Sequence, residues 1–234
     1  MLRNPIVGAR LSQRDDQGLR NSREQTGAYG LVLISILVSI VVAAAVGRSP
    51  WGRWFVAVLQ GATLWLTLRI SGAGMRARIL FIVLVVLGLV VAAMAVALGE
   101  PDTGRAVDAA ISGMLVVGAP IAIVRGVRGR VEVTAQTVIA ALSVYLLIGL
   151  FFAFVYGLME AIGPDPFFAA GPDGALPDFL YFSYSTLTTV GFGDLAARGD
   201  VGRMTSALEA LTGQLYLVTV VAVLVGNLIG RRKS

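Results

Sequence analysis

The chain has 234 residues, of which 56% are hydrophobic and 14% charged, with a mean hydropathy of +0.80 and a net charge of +5. A water-soluble domain of this size carries more charge and fewer apolar residues, so the composition places the chain in a membrane. It has neither cysteine nor histidine, which removes disulfides, thiolate metal sites and the commonest general base; its arginines cluster at the ends of apolar runs, where they orient a membrane protein rather than bind nucleic acid.

Residues 1–27 carry Arg3, Arg10, Arg14, Arg20 and Arg23 among Asp15, Asp16 and Glu24, with no apolar run, which predicts a cytoplasmic tail. The first apolar run begins late and lacks a small-residue cleavage pattern at its end, so it reads as a retained helix and not as a signal peptide. A bilayer core roughly 30 Å thick needs about 20 apolar helical residues. Runs at 28–47, 51–70 and 79–98 meet that length; 106–124 is a weaker fourth, with Asp108 inside one end and Pro120 near the other; 133–162 and 201–230 are long enough to tilt. The chain thus divides into the tail 1–27, a four-helix membrane domain 28–130, and a segment 131–234 that holds the last two spans.

Arg69, Arg76 and Arg78 follow the second run, Arg125, Arg128 and Arg130 the fourth, and Arg231, Arg232 and Lys233 the sixth. The positive-inside tendency puts all of these in the cytoplasm together with both termini, although Arg48 and Arg53 after the first run oppose it. The fourth run contains no arginine. A voltage sensor needs several at every third position, so steep voltage gating is not expected.

Between the last two runs, 163–177 is rich in Pro, Gly and Asp and predicts an irregular extracellular loop. The segment 178–187 is too short to cross a bilayer yet aromatic enough to pack among helices, which predicts a short re-entrant helix ending near Thr188, its negative dipole end toward the residues that follow. Then comes Thr188-Thr189-Val190-Gly191-Phe192-Gly193-Asp194. Gly191 and Gly193 can take positive φ, so successive peptide planes can turn their carbonyl oxygens to one side, which an ordinary strand forbids. Such a row can replace the water shell of a cation, and Thr189 can add a hydroxyl at its inner end.

This string resembles the signature of tetrameric potassium channels, with Phe192 where that signature has tyrosine. The resemblance extends over 145–230, since Gly202-Arg203 and Gly213 stand at inner-helix offsets similar to those of small bacterial two-helix potassium channels. It implies that carbonyls of Thr189, Val190, Gly191 and Phe192 coordinate K+, that Asp194 stands at the outer mouth, and that four copies surround a central pore. It also implies an aromatic cuff around the filter, with Tyr181 bonding toward Asp194, and places Ser185 where some bacterial channels carry a carboxylic acid.

Several residues carry two readings. Tyr181, Phe182 and Tyr184 read either as interfacial aromatics or as the cuff. Gly213 is either a gating hinge or a close helix contact. Leu217, Val221 and Leu224 recur at helical spacing and either line the cavity or simply pack. Glu209, an intramembrane carboxylate, lies either behind the filter, bonded to the pore helix or to a neighbour's Tyr216, or near the outer interface in water; it reads as a modulator and not as an ion ligand.

No folded regulatory domain fits after Gly230, so any nucleotide or calcium sensor is expected on a separate subunit, while the first four helices pack around the pore or bind lipid or a partner. Enzymatic chemistry lacks a constellation of catalytic groups, and Gly191-Phe192-Gly193 lacks the strand and helix of a nucleotide loop. A potassium transporter repeats its filter-like loops within one chain, whereas one loop is seen here; a non-conducting accessory subunit stays open. The expectation is an all-α integral protein of the cell membrane: six transmembrane helices, a re-entrant pore helix and filter loop between the fifth and sixth, assembled as a homotetramer that conducts K+ passively.

Overall fold

The structure is a computed structural model that describes residues 30–46, 49–70, 135–170 and 174–231. The tail 1–27, the candidate spans 79–98 and 106–124 with the arginines around them, and the side chain of Leu224 lie outside the described residues.

Among the described residues every regular element is helical. Helices α1 (Gly30–Val46) and α2 (Pro50–Ile70) fall on the first two apolar runs. The turn into α2 is set locally: Ser49 accepts the Gly52 amide at 2.9 Å and Pro50 follows it, so a capping oxygen meets an otherwise orphaned donor where proline has none to lose. The hydroxyls of Ser35 and Thr63 bond to each other, tying α1 to α2.

Helix α3 (Ala135–Ile162), the short α4 (Leu176–Leu187) and α5 (Gly199–Arg231) pack against one another in all three pairings. Two described helical stretches are long and apolar enough to cross a membrane, Gln136–Ile162 and Gly199–Val223. They differ in cover: 44% of the most apolar stretch of the first is buried, against 11% for the second. Helix α5 therefore presents apolar side chains such as Leu208, Leu211, Leu215 and Val218 on the surface of the protomer.

Helix α4 begins two residues before the expected boundary because Asp178 reaches back to accept the Ala175 amide at 2.9 Å, half of a capping box, with Pro177 in the first turn. The loop before it is irregular, as its composition predicts, but it is not a free surface loop. Phe167 and Phe168 are buried, and together with Tyr156, Phe179 and Phe182 they form a ring cluster with centroids 4.8 to 5.9 Å apart. Glu160, near the end of α3, accepts the amides of Phe167 at 2.6 Å and Gly174 at 3.2 Å and so pins both ends of the loop. An isolated bridge pairs Phe168 with Ala197, and the Arg198 guanidinium donates to the Phe168 and Ala169 carbonyls. The loop before α4 and the loop before α5 are thereby fastened together.

Candidate functional site

Helix α4 ends at Leu187, and Thr188 closes it with φ −83° while its hydroxyl bonds the Tyr184 carbonyl at 2.6 Å. The chain then changes hand at every second residue: φ is +58° at Thr189, +56° at Gly191 and +84° at Gly193. That alternation turns successive peptide planes toward one side. The amides on the other side are tethered to the end of α4, with Thr189 donating to Thr186 O at 2.9 Å, and Val190 and Gly191 both donating to Ser185 O at 2.9 and 3.2 Å. Among the described residues, the carbonyls of Thr189, Val190, Gly191 and Phe192 accept no hydrogen bond, and all four residues are exposed. A row of unbonded main-chain oxygens is a ligand set for a hard cation.

Phe192 stacks on Tyr181 of the same chain, with ring centroids 5.7 Å apart and planes 12° from parallel. The Tyr181 hydroxyl donates to Asp194 at 3.1 Å. One side chain thus holds both the ring and the carboxylate at the outer end of the strand. Phe182 is buried in the ring cluster, and Tyr184 donates to Leu146 O at 2.8 Å with its ring filling the space left by Gly149, so these two face α3 and not a lipid interface.

The Ser185 hydroxyl bonds the Phe182 carbonyl of its own helix at 3.1 Å, because a short serine side chain within a helix is captured by the preceding turn; it is the Ser185 backbone carbonyl that holds the Val190 and Gly191 amides. Of its two readings, Glu209 agrees with the one that places it behind α4, bonded to that helix, and not with the one near the outer interface. It is fully buried behind α4, where it accepts the Tyr156 hydroxyl at 2.5 Å and bonds Ser183, whose hydroxyl also reaches Gly149 O at 2.6 Å. Tyr216 donates elsewhere, to Ala141 O at 2.7 Å.

Gly213 stands where α5 crosses the end of α4. A Cβ there would lie 2.5 Å from Leu187 O and 2.8 Å from Leu187 Cδ1, so the absence of a side chain is what permits this approach. The same carbonyl receives the Tyr145 hydroxyl at 3.2 Å, which satisfies an oxygen orphaned at the helix end. One residue on, Gln214 donates to Thr189 Oγ1 at 3.1 Å. Leu217 and Val221 are exposed on the protomer instead of packed inside it, and Leu224 has no described side chain.

Reading the sequence missed Tyr145, Tyr156, Glu160, Ser183 and Gln214. For Gln214 a signal existed, since it is a lone amide in an otherwise apolar stretch of the inner helix.

No curated protein and no solved structure matches this chain. Residues 140–229 match a protein-family model described as ion channel. That segment, which is similar to an ion channel domain, holds both membrane-capable helices, the short helix and the strand of unbonded carbonyls between them.

Proposed function

We propose that the protein is a potassium-selective channel that conducts K+ passively through a central pore made by four copies of this chain. The observation that carries this reading is the alternation of positive φ at Thr189, Gly191 and Gly193, with the intervening carbonyls free of hydrogen bonds. A cation leaving water must recover its hydration from other oxygens. One strand offers them on one side only, so enclosing the ion takes strands from other copies around an axis.

In this reading carbonyls of Thr189, Val190, Gly191 and Phe192 line successive rings, with Thr189 adding its hydroxyl at the inner end and Asp194 at the outer mouth. The tethers from Ser185 O and Thr186 O to the strand amides oppose collapse of the rings onto a smaller ion. The end of α4 directs its negative dipole toward the pathway, which favours cations. Non-helical backbone at membrane depth is tolerated where it lines water or is buried in protein. The reading includes six spans in the cell membrane, both termini cytoplasmic, and no steep voltage gating, each supported by the apolar runs and the placement of the arginines.

The test is flux through purified protein in liposomes. Rubidium or potassium uptake is expected with little sodium uptake. Equal permeability to sodium would overturn selectivity, and no flux in any cation would favour a non-conducting accessory subunit.

A further inference from the structure

Thr189 is the one non-glycine residue among those described with φ in the left-handed region, at +58°. A β-branched residue persists there only where its surroundings fix it. Its amide is held by Thr186 O at 2.9 Å, and its side chain is held from a different helix, by Gln214 Nε2 at 3.1 Å. Gln214 reaches this point because its neighbour Gly213 lets α5 lie against the Leu187 carbonyl. Its surroundings on α5 are Leu211, Leu215 and Val218, exposed apolar side chains that give an amide no packing purpose.

From this geometry we infer that Gln214 is a positioning residue for the innermost ring of ion ligands, fixing the Thr189 hydroxyl and with it the cation preference of that ring. The inference rests on the potassium reading above. A threonine hydroxyl oxygen has two lone pairs. The amide N–H occupies one, leaving the other for a cation and fixing where it points. Without the amide the hydroxyl rotates freely, Thr189 can relax out of its left-handed conformation, and the ring adapts to ions of different size.

The test compares Gln214→Leu, the unbranched Gln214→Met, Thr189→Val and the Gln214→Leu/Thr189→Val double variant. Reversal potentials under potassium and sodium gradients are measured beside thermal unfolding in detergent. Each Gln214 variant is expected to lower the K+ to Na+ permeability ratio about threefold, the size of effect expected from one neutral hydrogen bond. Unfolding should be unchanged, and the double variant should lose no more than Thr189→Val alone, because both substitutions remove one interaction. An unchanged ratio in the Gln214 variants, or losses that multiply in the double variant, would overturn the inference while leaving the potassium reading in place. So would early unfolding of both Gln214 variants, or a folded variant with no current, either of which would assign Gln214 to assembly. A wild-type protein without potassium preference would remove the potassium reading and this inference together.

Discussion

The carbonyl oxygen of Leu187 lies 2.5 Å from where a Cβ on Gly213 would stand. Four residues earlier on each helix, Ser183 of α4 bonds Glu209 of α5. Residues four apart share one helix face, so these two contacts form a single seam along which α5 lies against α4. The seam fixes the end of α4, and the end of α4 holds the amides of Thr189, Val190 and Gly191.

Gly213→Ala tests the tight end of the seam. A backbone oxygen cannot rotate away from an added methyl, so the helices must separate. Overpacking of this kind costs about 1–3 kcal/mol, which for a chain of this length corresponds to roughly 2–4 °C of melting temperature per kcal/mol. Thermal unfolding in detergent should show that loss, and flux should fall with it. An unchanged melting curve with an altered open probability would instead return Gly213 to the hinge reading.

Gly191→Ala should behave in the opposite manner. No atom of the protomer lies within 4 Å of a Cβ built there, yet φ is +56°. The cost is conformational, roughly 1–2 kcal/mol for an L-residue in the left-handed region. Assembly should survive while selective flux is abolished, because the strand relieves the strain by turning a carbonyl out of the row. Size-exclusion chromatography beside rubidium uptake checks this, and retained uptake would place the pathway elsewhere.

Tyr181→Phe separates the two contacts of one ring. The stack on Phe192 should persist while the 3.1 Å bond to Asp194 is lost. Both partners are exposed on the protomer, so stability should change little. The decline of current during a sustained opening should quicken, since Asp194 is then held by nothing named at the outer mouth. Macroscopic currents at constant voltage read this directly, and an unchanged time course would show that the Phe192 stack alone holds the outer filter.

Much of this was legible in the residues. Hydropathy located the helices at 135–162 and 199–231, because a bilayer demands an apolar run of a given length and local sequence supplies it. The positive φ values at Gly191 and Gly193 follow from glycine itself. Thr189 was not legible in the same way: a β-branched residue in the left-handed region is imposed by tethers from Thr186 and Gln214, which lie on different elements. The burial of Phe167 and Phe168 was hidden by the Pro, Gly and Asp around them, since composition reports the backbone's freedom and not which rings a neighbouring helix will cover. The partners of Glu209 depended on the register between three helices, and one sequence carries no statement of register.

Glu209 gives the last test, because its two partners make different demands. Tyr156 needs an acceptor. Ser183 has one proton and two oxygen neighbours, Gly149 O and Glu209, so one of its contacts must draw a proton from the other side, and a carbonyl has none to give. Glutamine meets both demands, with its Oε1 accepting from Tyr156 and its amide donating to Ser183, so Glu209→Gln should fold and conduct nearly as the parent does. Leucine meets neither. Glu209→Leu strands the buried Tyr156 hydroxyl, at a cost of about 1–3 kcal/mol, and frees the seam that holds the back of α4. Thermal unfolding should rank parent and Glu209→Gln together above Glu209→Leu. If the glutamine variant instead falls as far as the leucine variant, the carboxylate's charge holds the seam, and hydrogen-bond matching does not.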